Sequence, residues 1–237
     1  MSLSALFDRG AAQYDRLVGL NPGYHAELRR AAGALAERVA PVPARGRRVI
    51  DLACGSGAST RAVADALPDA RVLGLDASGG MLAQALAKPW PDRVEFARAT
   101  AGALDLDCLG RGTWDGILAA YLFRNVPGAA RDTAIAETFE LLAPGGWLVV
   151  QEYSVAGRRE ARWRWHAVCW LGIIPLGLLL DRNFGLYRYL WGSVLDFDSV
   201  QRFGDRLAEA GYVDIAVHAG SGWQRGILHT IVARKPG

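Results

Sequence analysis

Cysteine is scarce in this sequence: Cys54, Cys108 and Cys169 are three scattered residues in a chain of 237. An odd set without CxxC spacing excludes a disulfide framework and a zinc site, so no metal is expected and a reducing compartment fits. Charge of one sign is also missing. The 27 Lys and Arg and 24 Asp and Glu are interspersed and leave a net charge of +3, without the basic block that tracks a phosphate backbone. No nucleic-acid partner is expected. The N-terminal stretch MSLSALFDRGAAQYDRL lacks the basic flank and long apolar core of a signal peptide, so a cytoplasmic location is expected. Long hydrophobic runs are absent too: the longest, AVCWLGIIPLGLLL from Ala167 to Leu180, has 14 residues and is broken by Pro175, short of the roughly 20 that span a bilayer. There is no internal repeat.

What is present is a chain 51% hydrophobic and 22% charged, enough for one sizeable core over residues 1–237. Short apolar runs alternate with helical patterns, as in parallel β-α-β units. Strands are expected near 48–53, 71–75, 93–97, 114–119 and 147–153. Helices are expected near 57–67, 79–88 and 128–142, the last closed by APGGW, where Gly145 or Gly146 would supply a positive-φ C-cap. From about 155 to 198 the alternation gives way to a segment rich in Trp, Leu and Arg. A helix near 199–210 and strands near 212–218 and 226–234 follow it.

RRVIDLACGSGAST, residues 47–60, ends a buried strand in small residues. A Gly-rich turn between strand and helix lets backbone approach a ligand, and the N–H groups at the helix start favour polar or anionic atoms. Asp76 closes the second strand 19 residues past Gly57, where a carboxylate accepts ribose hydroxyls. Together they specify a nucleoside-bearing cofactor. This pattern also admits a nicotinamide-dependent oxidoreductase and a non-catalytic cofactor-binding protein.

VIDLACGSG followed by LGLDASGGML resembles the first two motifs of class I S-adenosylmethionine-dependent methyltransferases, and ETFELLAPGGWLVVQEYS resembles their penultimate helix and fifth strand. Downstream, YLFRNVP, YRYLWGSVLDF and the closing GSGWQRGILHTIVARKP are similar to segments of the ubiquinone/menaquinone C-methyltransferases. The likeness runs nearly end to end. It implies an α/β, Rossmann-like fold: a mostly parallel seven-stranded sheet with helices on both faces. An N-terminal helical cap over 1–45 and a helical lid over 155–198, before the last strands, are expected with it. S-adenosylmethionine is the implied cofactor and S-adenosylhomocysteine its product. Contacts to it are implied at Asp51, Ala53, Gly55, Ser56, Gly57, Thr60, Asp76, Ala77, Met81, Thr100, Ala101 and Ala120. Asp51 stands where the family places an acid near the methionine amino group. Thr100 and Ala101 replace the usual Asp or Asn for adenine, and Ala120 replaces a common Ser.

The implied reaction is C-methylation of a lipid quinol ring, with another aromatic or polyketide-like acceptor as the alternative. Ring methylation needs a positioned phenolate and a route for a proton. Arg124 and Asn125 follow the fourth strand, where open α/β sheets hold ligands, and are the catalytic candidates together with Tyr14; a structural ion pair is the competing account of Arg124. Substrate contacts are expected at Tyr121, Arg124, His166, Trp170, Tyr187 and Trp223. His166, His218 and His229 are general-base candidates and Tyr153 a candidate hydrogen-bond partner of ligand or substrate, each with structural packing as its ordinary alternative. Cys54 reads as a small packed residue, since methyl transfer needs no nucleophilic thiol. Residues 158–197 combine Trp, Arg and a Leu-rich run, which suits peripheral membrane contact at the inner face or an ordinary buried helical pair. A homodimer is left open.

Overall fold

The computed structural model describes residues 8, 19, 21–40, 46–180 and 184–237. Tyr14 and most of the stretch expected to cap the cofactor lie outside these residues. After α1 (Tyr24–Val39), strands and helices alternate: β1 (Arg48–Leu52), α2 (Ala58–Ala66), β2 (Arg71–Asp76), α3 (Gly79–Leu86), β3 (Val94–Arg98), β4 (Trp114–Ala120), α4 (Gly128–Leu141) and β5 (Leu142–Tyr153). Three lid helices follow, α5 (Arg159–Val168), α6 (Ile174–Leu180) and α7 (Phe184–Leu195), and then α8 (Val200–Glu209), β6 (Val213–Ala219) and β7 (Leu228–Arg234).

The described strands form one seven-stranded sheet in the order β3-β2-β1-β4-β5-β7-β6. β7 runs antiparallel to both neighbours, and the remaining pairs are parallel. The central strands read as continuous apolar runs because both faces are covered. Val49, Leu118 and Val149 pack under α1 and α2, while Ile50, Ile117 and Val150 pack against α4 and α8. α1 lies on the sheet itself. A Cβ on Gly116 would stand 2.9 Å from Leu35 Cδ1, so this glycine allows the helix its close approach to β4.

Two local expectations change. α4 ends at Leu141 with Leu142 already extended, so neither Gly145 nor Gly146 caps it. Instead β5 begins five residues earlier than expected and its register against β4 slips between Trp114 and Gly116. Gly145, φ 78°, turns the chain inside that irregularity. The break in alternation at 155–198, expected as a helical lid, contains α5, α6 and α7, and a π-helical turn, Cys169–Ile173, separates α5 from α6. Pro175, lacking an N–H, sits just beyond that turn.

The strand order reverses between β1 and β4, and a crevice opens beyond their carboxyl ends at such a switch point. The residue after each strand, Ala53 (φ 66°) and Tyr121 (φ 58°), is a non-glycine in the left-handed region. Each is held there by its own N–H, donated to Leu75 O and Gln151 O respectively, both at 2.7 Å. Strain of about 1–2 kcal/mol per residue is typical of such positions and concentrates at ligand sites.

Candidate active site

A cavity of about 990 Å³ fills this crevice and runs from the Gly-rich turn to the lid. Its first end is built from backbone and short side chains. Asp76 takes N–H bonds from Gly55 and Ser78, one on each oxygen and each at 2.8 Å. Each carboxylate oxygen keeps a further acceptor direction. Burial raises the Asp76 pKa against the opposing pull of those N–H donors. Asp51 is wholly buried and takes the hydroxyls of Ser59 and Thr60 on Oδ2 at 2.8 and 2.6 Å, while its Oδ1 has no hydrogen-bond partner. Desolvation pushes this acid up to about 6.

The turn is braced from outside by residues that the sequence reading did not single out. Gly57, at φ 90°, could not carry a Cβ without meeting Trp90 at 2.7 Å. Arg61 lies over the Trp90 ring at 4.1 Å, and Lys88 Nζ donates to Ser56 O at 2.6 Å. The signal was an aromatic and a cation following α3, a pattern too common to point to the turn. Asp8 accepts from Ser78 Oγ and from Gly80 N, at 2.5 and 2.9 Å, and these bonds hold its pKa below the usual carboxylate range.

Of the expected cofactor contacts, Ala53, Gly55, Ser56, Asp76, Ala77, Met81, Thr100, Ala101 and Ala120 line the cavity. Asp51, Gly57 and Thr60 stand behind the wall and shape the turn. Cys54 is buried in the wall, where desolvation and then the charges of Asp51 and Asp76 push its thiol far up. An inert, packed thiol results.

Beyond β4, Arg124 and Asn125 both reach the cavity. Arg124 Nη1 donates to Tyr121 O at 2.7 Å and to Glu152 Oε1 at 3.2 Å, with side-chain exposures of 8% for Arg124 and 1% for Glu152. Glu152 also accepts the backbone N–H of Arg124 and of Tyr153. The ion pair weighed from sequence therefore exists, with a strand residue as partner and at the cavity wall. Burial raises the Glu152 pKa, which the Arg124 charge offsets only in part. The Asn125 amide donates to Tyr121 O at 2.8 Å and accepts the Tyr189 hydroxyl at 3.1 Å, tying this turn to α7.

The second end is aromatic and aliphatic. Tyr24, Tyr121 and Tyr153 stack with centroids 5.5 and 5.2 Å apart, and Trp165 continues the row at 5.4 Å. Tyr187 and Trp223 line the cavity as expected, whereas His166 and Trp170 do not. His166 Nδ1 instead accepts the Trp191 indole N–H at 3.1 Å. The other base candidates are poorly placed. His218 is exposed on β6, and His229 is buried in β7, where desolvation and then the Arg158 charge push it down to about 4. Tyr153, weighed as a hydrogen-bonding contact and not as a base, does line the cavity, and burial raises its hydroxyl to about 12. Among the described residues no histidine reaches the cavity wall.

This sheet order, with a nucleoside-type turn at the switch point and a lid before the last strands, is the fold of class I S-adenosylmethionine-dependent methyltransferases. The same fold is seen in phosphoethanolamine N-methyltransferase 2 from Haemonchus contortus (TM-score 0.62, 18% identity, 86% of this chain and 52% of that one). It recurs in an S-adenosylmethionine-dependent methyltransferase from Thermotoga maritima (TM-score 0.58, 18% identity, 98% and 99%). Residues 3–231 match the model of the ubiE/COQ5 methyltransferase family, and the chain belongs to that family. It is 34% identical over 209 residues to the demethylmenaquinone methyltransferase of Thermus thermophilus, covering 87% of this chain and 91% of that one. Identity is 30% over 220 residues to the 2-phytyl-1,4-naphtoquinone methyltransferase of Thermosynechococcus vestitus, 89% and 90% covered. The oxidoreductase reading of the Gly-rich turn finds no support in these relatives.

Proposed function

We propose that the protein transfers a methyl group from S-adenosylmethionine to a ring carbon of a lipid quinol. The observation that carries this reading is the division of one cavity into a hydrogen-bonding end and an aromatic, aliphatic end, in a chain whose relatives bear the names of quinone methyltransferases. The donor set at the first end fits the cofactor. Asp76 has acceptor capacity left for ribose hydroxyls, the buried Asp51 Oδ1 lacks a partner, and a Cβ at Gly55 would meet nothing within 4 Å, so space remains over the turn. Asp76, Ala77 and Met81 would hold the nucleoside, Thr100 and Ala101 the adenine edge, and the charge of Asp51 would act on the amino group from behind the wall. The cofactor, when bound, supplies an electrophilic methyl on a sulfonium.

The protein's part is to fix the acceptor in line and to favour its phenolate. Arg124, clamped by Glu152, presents a guanidinium at the wall, and Asn125 is fixed beside it. The row of Tyr24, Tyr121, Tyr153 and Trp165 forms an aromatic wall against which a planar ring would pack. Bonding of the ring carbon to the methyl would break the methyl–sulfur bond and release S-adenosylhomocysteine, and loss of that carbon's proton to solvent would restore the aromatic ring. Tyr14 remains the proposed further contact from the N-terminal segment.

The test is turnover with labelled S-adenosylmethionine and a panel of demethylated naphthoquinols and benzoquinols. Label on a ring carbon, established by mass and nuclear magnetic resonance spectra of the product, is the expected result. Label on oxygen, or methylation confined to non-quinol aromatics, would overturn the assignment.

A further inference from the structure

The outer face of the lid is apolar, unlike the rest of the surface. Of the ten large hydrophobic side chains exposed among the described residues, seven lie in this one segment, from Trp163 to Phe184. Trp163 is 76% exposed, Leu171 83% and Leu179 82%. Single exposed apolar residues are ordinary, whereas a grouped set marks an interaction surface. This set is also continuous with the cavity. Leu171 and Leu176 belong both to the exposed face and to the cavity lining. Trp170 packs edge-on against Trp191, which lines the cavity, at 5.7 Å. The apolar end of the cavity therefore opens through the patch.

Charge identifies what the patch meets. Arg159 and Arg162 of α5 are exposed, near one acid, Glu160, while Arg158 and Arg164 turn toward Gly226, Arg164 donating to Arg225 O at 2.7 Å. Arg159 and Trp163 are four residues apart and so share one helix face. Cations and indoles bordering an aliphatic patch suit the headgroup boundary of an anionic bilayer. A two-fold contact with a second copy would instead set these cationic rows against each other. No helix of the described residues is long and apolar enough to cross a membrane.

We infer that the lid rests on an anionic lipid bilayer and that the acceptor ring passes from the hydrocarbon layer through the patch into the cavity. This rests on the quinol reading above for the acceptor, but not for the docking.

The experiment uses the full chain with phosphatidylglycerol-containing vesicles and with pure phosphatidylcholine vesicles. Co-sedimentation with the former, a blue shift of Trp emission and weakening by high salt are expected. Two double variants, Trp163→Ser with Leu179→Asp and Arg159→Gln with Arg162→Gln, change only exposed residues outside the cavity lining. Each should weaken vesicle binding at least about tenfold. Both should turn over a tail-less quinol in solution like the parent, and lose turnover of a long-tailed quinol in vesicles in proportion to lost binding. A parent protein that ignores anionic vesicles, or variants that keep full binding, would overturn the inference. So would a dimer, seen by light scattering, that Leu179→Asp dissociates while vesicles remain unbound. If vesicle binding behaves as stated but no quinol is methylated, the docking stands and the substrate assignment falls.

Discussion

The two ends of the cavity are built by opposite means. At the Gly-rich end, position is set by bonds: Asp76, Asp51, Ser78 and Asp8 are fixed by hydrogen bonds of 2.5 to 2.9 Å, and two strained residues hold the strand ends. At the lid end, position is set by area: stacked rings and aliphatic side chains, several of them open to solvent. A small polar ligand is recognised by direction, which needs donors and acceptors that cannot move. A flat ring with an apolar tail is recognised by contact, which tolerates a looser wall. Arg124 and Glu152 stand where the two regimes meet.

The largest effect should come from breaking that junction. Arg124→Ala leaves Glu152 buried and charged, which typically costs about 3–5 kcal/mol, and chemical denaturation should show it. Pairing Arg124→Met with Glu152→Gln should restore most of the loss. Arg124→Lys retains the charge and the fold, and on that variant kcat should fall about a hundredfold while S-adenosylmethionine affinity holds.

At the Gly-rich end, Asp76→Ala should weaken S-adenosylmethionine at least about tenfold, because hydrogen bonds to a charged group are worth about 1.5–3 kcal/mol each. Unchanged calorimetric affinity would detach the cofactor from this carboxylate.

Asp51 gives the same end a pH signature. Its folded pKa, near 6, lies above the ordinary 3.8, so ionising it opposes folding, and its contribution to stability falls as pH rises from about 4 to 6. A cationic amino group bound at the cavity wall in front of Asp51 would favour its ionised form. Affinity for S-adenosylmethionine should therefore rise with pH, by up to about tenfold per unit below 6, and level off above it. Asp51→Asn should flatten both profiles, the first read by thermal melts and the second by titration calorimetry.

The smallest effect belongs to the lid end. Leu176→Ala should raise KM for a tailed quinol about fivefold, the scale expected for partial loss of one apolar contact, and leave cofactor affinity unchanged. An equal loss of cofactor affinity would erase the distinction between the two ends.

How far the residues could be read in advance differs along the same division. The strand and turn positions of the Gly-rich end were legible because a buried parallel strand is a continuous apolar run, and Gly55, Gly57 and Asp76 occupy fixed places after it. An ion pair at Arg124 could be weighed from sequence only as the alternative to a catalytic role, and its partner Glu152 was not legible, because pairing across 28 positions of sequence leaves no local pattern. Trp90 escaped for a like reason, since its relation to Gly57 is a contact between two loops. His166 and Trp170 were expected in the pocket on composition, yet a helix has several faces, and theirs turn toward Trp191 and solvent.

By itself, then, the sequence determined the α/β order, the crevice turn with its acid, and the family, because each is written in residues close together in the chain. Only the tertiary structure decided which side chains face the cavity, that Arg124 is clamped by a buried carboxylate, and that Asp51 and Thr60 stand behind the wall. It also decided that an apolar run too short to span a membrane lies as an open face at the cavity mouth. These depend on packing angles and on burial, and burial sets the energy of a charge or an exposed ring through neighbours that the chain brings in from far away.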